Sequence, residues 1–223
     1  MMVGVLLAGG ASTRMGTPKS LVRQGGDSFL AHGIRHLWGA CNAVVVVLGS
    51  KAATIRKQVD GEFERLLRAG RLHQDLRRAD RHGAAGLEAC FVVNQDWREG
   101  MFSSVRIGLK QALRFKPEGV LLLPVDHPAV KARTVCDLAT VMRLALEACG
   151  TEKERDRFSY ALVPRYRRHR GHPLAISPAL ALAVAKDSKA ETLSEAVRRN
   201  ARLIGYLDVP DPGVVRNRNT PGS

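Results

Sequence analysis

The order of apolar segments along the chain predicts an α/β protein built on a mostly parallel sheet with crossover helices. Three observations carry this. Residues 3–8 (VGVLLA) are short, continuously apolar and stopped by Gly9 and Gly10, which reads as a buried strand running into a loop. Residues 43–48 (AVVVVL) repeat the pattern. Between them Phe29, Leu30, Ile34 and Leu37 recur at helical spacing behind Ser28, whose hydroxyl suits a helix N-cap. Strand, loop, helix, strand is the order of a parallel crossover unit, because parallel neighbours need a long connection to return to the same edge.

The later segments keep to this plan. Residues 90–94 (CFVVN) form a third apolar stretch, after which Ser103 or Ser104 is expected to cap a helix carrying Val105, Leu109 and Leu113. A fourth stretch, GVLLLPVDHP, runs from Gly119 into Asp126. YALVP, LAIS, a helix around 192–198 and RLIGYLDVP complete the alternation, with no internal repeat and no low-complexity tract. At 223 residues the chain is expected to be a single domain. One stretch departs from the plan: residues 62–87 carry Arg65, Arg68, Arg71, Arg77, Arg78 and Arg81 over a broken apolar pattern. It is expected to be a basic helical insertion, either a solvated face or a docking surface for an acidic partner.

Composition narrows the function classes. No segment approaches the roughly 18 to 20 apolar residues that cross a bilayer. The glycines and basic residues that follow the first strand are wrong for a secretory leader, so a soluble, cytoplasmic protein is expected. Cys41, Cys90, Cys136 and Cys149 lie far apart and read as buried, reduced residues rather than a metal or redox cluster. The net charge is +14 with a pI near 10.4, which favours anionic ligands. Aromatic residues make up only 5% and do not interleave with the arginines, so small phosphorylated ligands rank ahead of nucleic acid.

The loop after the first strand reads LLAGGASTRMGTPKS. Adjacent glycines let the backbone approach a ligand closely and turn its N–H groups toward it. Arg14 and Lys19 add a forked and a compact positive charge, a combination suited to a polyphosphate. The loop is neither a P-loop, where Lys would directly follow Gly, nor a dinucleotide GxGxxG turn. Asp126, placed after VLLLPV, is expected at the carboxyl end of a buried strand, where open α/β sheets bind ligands and where a carboxylate suits Mg²⁺.

These residues resemble the MobA-like nucleotidyltransferases, and within them the molybdenum-cofactor cytidylyl- and guanylyltransferases. The resemblance runs through LAGGASTRMGTPKSL, NQDWREGMFSSVRIGL, LLLPVDHPAV, RGHPLAIS, AETLSEAV and NRNTP, nearly the whole chain. It implies a Rossmann-like three-layer α/β/α nucleotidyltransferase fold. The implied activity joins the NMP part of an NTP to a phosphorylated acceptor, with Mg²⁺ as cofactor and pyrophosphate as product. Leu7, Ala8, Gly9 and Gly10 would frame base and ribose, Arg14 and Lys19 would hold the triphosphate, and Asn94 and Ser104 would approach the nucleotide. Arg170, Gly171, His172 and Pro173 would lie on the acceptor side. Asp126 would hold the metal.

The chain departs from the family at its end. Relatives close on DxDTP, whereas here Asn217 and Asn219 replace both acids. Asn219 still offers a carbonyl oxygen, and the related uridylyltransferases acting on N-acetylglucosamine 1-phosphate pair an Asp with an Asn, so Asn219 is expected to be the second metal ligand. The segment NQDWREGMFSSV leans toward CTP, while LAGG occurs in guanylyl-type relatives, which leaves GTP open. Molybdopterin leads as acceptor, a sugar or polyol phosphate follows, and a non-catalytic module binding nucleic acid or an acidic apo-enzyme is the reading from another class.

Overall fold

The computed structural model describes residues 1–10, 17–68 and 88–218, and the statements that follow concern these residues. Arg14, Asn219 and residues 69–87 of the expected insertion lie outside them. None of the described helices is long and apolar enough to cross a membrane.

The expected alternation is present. Strand β1 (Met2–Ala8) is followed by a short hairpin, β2 (Arg23–Gln24) and β3 (Asp27–Ser28), then α1 (Phe29–Trp38), β4 (Ala43–Leu48) and α2 (Ala52–Arg68). Next come β5 (Glu88–Val93), α3 (Met101–Leu113), β6 (Gly119–Pro124), α4 (Ala132–Glu147) and the single turn α5 (Glu152–Arg155). The last part holds β7 (Tyr160–Tyr166), β8 (His169–Arg170), β9 (Leu174–Ile176), α6 (Pro178–Lys186), α7 (Leu193–Asn200) and β10 (Leu203–Asp208).

The main sheet runs β10-β7-β9-β6-β1-β4-β5, with β8 paired to β7. It is parallel except at β9, which is antiparallel to β6 and β7, and at β8. Central strands of such a sheet are covered on both faces, which is why they read as continuous apolar runs. In β1, Met2, Leu6 and Ala8 face a core shared with α1, α2 and α4, while Val3, Val5 and Leu7 face one shared with α3, α6 and α7. The result is the three-layer α/β/α fold.

Three local expectations change. Ser28 caps α1 as expected, its Oγ accepting from the Ala31 N–H at 3.1 Å. Ser103 and Ser104, however, lie inside the first turn of α3, whose N-cap is Gly100 at φ 102°. Only a residue without Cβ adopts that angle cheaply, so the glycine takes the corner and the serines are released for other bonds. The stretch expected to be an insertion from residue 62 begins inside α2. Glu62 is buried there and accepts from the Ser28 N–H at 2.7 Å, which ties the helix to the start of α1. Of the four thiols, all reduced, only Cys41 is buried; Cys90, Cys136 and Cys149 are half-buried.

Candidate active site

The parallel strands end together, and their loops enclose a cleft of about 520 Å³. Leu7, Ala8, Gly9 and Gly10 line one wall, Trp97, Arg98, Gly100, Met101 and Ser104 another, and Lys19 and Asp126 meet at its floor. The backbones approach this closely because Gly9 and Gly49 carry no side chains. A Cβ on Gly49 would stand 2.2 Å from the Gly9 carbonyl oxygen, and one on Gly9 would stand 2.5 Å from Ser104 Oγ. Either contact is closer than atoms tolerate, so β1, β4 and α3 converge only with glycine at these points.

Lys19 sits on a 3₁₀ turn (Lys19–Leu21), and its Nζ lies 3.4 Å from Asp126 Oδ2. Asp126 stands two residues past β6, as expected. Its backbone is fixed from two directions: the neighbouring Val125 N–H donates to Leu7 O at 3.0 Å, and the Arg218 N–H donates to the Asp126 carbonyl at 2.8 Å. The carboxylate therefore faces the cleft from a rigid corner, with about a fifth of its side chain exposed.

Asn94 is buried behind the wall rather than in it. Its Nδ2 donates to Ser103 Oγ (2.8 Å) and Ser104 Oγ (2.9 Å), and its Oδ1 accepts from the Asp96 N–H (3.0 Å). Its own N–H donates to Leu48 O at 2.7 Å. Of the two residues, Ser104 is the one that reaches the cleft surface, and Asn94 holds it there.

Arg170, Gly171, His172 and Pro173 do not line this cleft; they form a neighbouring shelf. The Gly171 N–H donates to Pro164 O and the His172 N–H to Val214 O, both at 2.9 Å. Arg170 stacks 5.0 Å from the centre of the Tyr206 ring. Arg165, directly across from it in the β7–β8 pair, lies 4.8 Å from the same ring and is neutralised by Asp208 at 2.7 Å. The Arg170 guanidinium has no carboxylate within ion-pair distance among the described residues.

The shelf reaches the cleft floor through two histidines that the sequence analysis did not weigh together. The His172 ring packs edge-on against His127 at 5.0 Å between centres. Burial pushes both imidazoles below their ordinary value of 6.5; the neighbouring His127 lowers His172 further, to about 4, and Asp126 opposes the shift in each. Among the described residues, the charged groups that act on these rings are Asp126 and, on His127, Lys19. Trp97, Arg98 and Tyr206 were also not singled out. The adjacent pair Trp97 and Arg98, with the guanidinium 4.5 Å from the indole, is the signal that marks the first two.

Fold and cleft together define the class: a three-layer α/β/α protein with a cleft beyond the carboxyl ends of its central strands, where open α/β sheets bind ligands. The model of the MobA-like NTP transferase domain matches residues 4–203, and the chain belongs to that family. Over 60 residues it is 45% identical to a probable molybdenum cofactor guanylyltransferase from Rhodopirellula baltica, a match spanning 26% of this chain and 28% of that protein. Among solved structures, Rv0371c from Mycobacterium tuberculosis in complex with manganese superposes with a TM-score of 0.61 at 19% identity, covering 93% of this chain and 88% of that one. Molybdopterin-guanine dinucleotide biosynthesis protein A from Archaeoglobus fulgidus gives 0.57 at 17% identity, covering 99% and 93%. At such identities the likeness bears on the fold alone.

Proposed function

We propose that the chain is a divalent-metal-dependent nucleotidyltransferase that moves NMP from CTP or GTP to the phosphate of a molybdopterin-type acceptor. The observation that carries this reading is the meeting of Lys19 and Asp126 in the cleft walled by Gly9 and Gly10. Family membership supports it, as does the name of the Rhodopirellula baltica relative.

The residues present fit a metal that arrives with its nucleotide. Mg²⁺ and similar ions use one or two carboxylates together with substrate phosphates rather than a closed protein cage. Asp126 supplies one cleft-facing carboxylate, and no group of three acidic, histidine or cysteine side chains gathers among the described residues. Asn219, one residue past Arg218, is the second ligand in this reading. A bound ion would neutralise charge on the phosphates.

The rest follows from the chain's own groups. Leu7, Ala8, Gly9 and Gly10 frame base and ribose, and Arg14 and Lys19 supply positive charge to the triphosphate. An acceptor phosphate oxygen attacks the α-phosphorus in line, forming a P–O bond as the bond to the β-phosphate breaks and pyrophosphate leaves with the electron pair. A phosphate is already ionised near neutral pH, so no side-chain base is needed, and acceleration comes from positioning and charge. The shelf carrying Arg170, Gly171, His172 and Pro173 receives the acceptor.

The test is pyrophosphate release from CTP, GTP, ATP and UTP with molybdopterin or N-acetylglucosamine 1-phosphate as acceptor. Turnover with CTP or GTP and molybdopterin alone supports the reading. Turnover only with the sugar phosphate moves the acceptor class, and salt-sensitive nucleic-acid binding without turnover replaces the enzyme by a binding module.

A further inference from the structure

Arg167 and Arg168 form the turn that joins β7 to β8, with φ angles of 47° and 70°. Tyr166 and His169 pair across it, so both turn residues take the left-handed conformation of a tight hairpin. Asn-Gly is the pair that such a turn favours, because bulky side chains adopt positive φ only at a cost. Two arginines are an expensive choice there, and backbone strain of this kind gathers where a surface is used.

The hairpin also concentrates charge. Arg167, Arg168, His169 and Arg170 are exposed. Arg165 is neutralised by Asp208, but among the described residues no carboxylate lies within ion-pair distance of Arg167, Arg168 or Arg170. Aromatic rings brace these side chains: Arg167 lies 5.3 Å from the centre of the Tyr166 ring, and Arg165 and Arg170 lie 4.8 and 5.0 Å from that of Tyr206, which β10 brings alongside. A guanidinium resting on a ring has less freedom to lose on binding and still offers its N–H edge to a carboxylate in a forked contact.

We propose that the β7–β8 hairpin docks a short acidic segment of another protein, with Arg167 and Arg168 making the contacts and Arg170 at the border with the acceptor shelf. A single-stranded nucleic acid would need open rings for its bases, and here guanidinium groups already occupy Tyr166 and Tyr206. The free guanidinium groups also sit within four consecutive residues, a footprint that suits a few neighbouring carboxylates better than a long phosphate backbone. Arg167 and Arg168 belong neither to the cleft nor to the residues assigned to the acceptor, so the inference stands apart from the proposed reaction.

The experiment titrates the full chain with fluorescently labelled hexaglutamate, read by anisotropy, and with a short oligothymidylate in parallel. Arg167→Asn combined with Arg168→Gly installs the pair that the turn favours. This variant should bind hexaglutamate about tenfold more weakly, unfold at a higher denaturant concentration and keep the wild-type KM for NTP. Arg157→Asn combined with Lys189→Asn removes the same charge from exposed positions elsewhere and should weaken the peptide less than about twofold. No binding of hexaglutamate by wild type, or equal weakening in both double variants, overturns the inference, the latter because net charge alone then attracts the peptide. A lower denaturant midpoint in the hairpin variant also overturns it, since the arginines then serve folding. Tighter binding of oligothymidylate than of hexaglutamate, lost in the hairpin variant, makes nucleic acid the occupant and overturns it as well.

Discussion

Lys19 Nζ stands 3.4 Å from Asp126 Oδ2 although 107 residues separate them in sequence. The pair neutralises itself in the cleft floor. In the proposed reaction each partner would exchange: the ammonium from carboxylate to phosphate, the carboxylate from ammonium to metal.

The exchange separates the two substitutions. Asp126→Ala should lower turnover by at least about 100-fold, the scale of losing a transition-state charge contact. The same variant should bind metal-free NTP as well as or better than wild type, since a negative charge is removed from the cleft floor. Lys19→Ala should weaken NTP with and without metal. Steady-state pyrophosphate release and calorimetry check both, and wild-type turnover in Asp126→Ala would refute the site.

Asn94→Ala removes three hydrogen bonds at once, a buried one to Ser104 and partly buried ones to Ser103 and from the Asp96 N–H. A loss of about 2–3 kcal/mol in unfolding free energy is expected, measurable by denaturant titration, together with a raised KM for NTP as Ser104 is freed. Gly49→Ala should cost at least as much, because the clash is with the Gly9 backbone, whereas Gly10→Ala meets nothing within 4 Å and should fold normally.

Tyr206→Leu should raise the KM of the phosphorylated acceptor about threefold to tenfold with little change in the KM of NTP, because it removes the ring on which Arg170 rests. Tyr206→Phe keeps the ring and should behave as wild type. Equal loss in both variants would point to the hydroxyl instead.

Stability should fall on acidification. His36 is held at about 4, first by burial and then by His32 and Arg35, against an ordinary 6.5. Between those values the unfolded chain binds the extra proton, so unfolding free energy rises with pH across this window and the contribution is complete above 6.5. The effect is on the order of 3 kcal/mol. His36→Gln should reduce the slope of stability between pH 4 and 6.5, to which the buried His172 also contributes, read from denaturant midpoints; an unchanged slope would place the titration elsewhere.

Strand and helix order was legible because central parallel strands are apolar on both faces and helices repeat with their own period. The edges were less legible. Ser103 and Ser104 look like caps by residue type, but Gly100 takes the corner and Asn94 draws both hydroxyls inward. The opening of the basic stretch looked like a surface excursion because its charges mask one buried carboxylate, Glu62, whose partner is a backbone N–H 34 residues away.

The sequence alone determined the α/β class, the glycine turn after β1 and the carboxylate after β6, because each is written in neighbouring residues whose chemistry acts locally. Only the tertiary structure decided which charged groups share the floor, that Asn94 stands behind Ser104, that Tyr206 carries Arg170, and that the His127 ring packs between Asp126 and His172. Those relations depend on strand register and on where the last segment crosses the sheet, and distances across a fold are set by packing rather than by spacing along the chain.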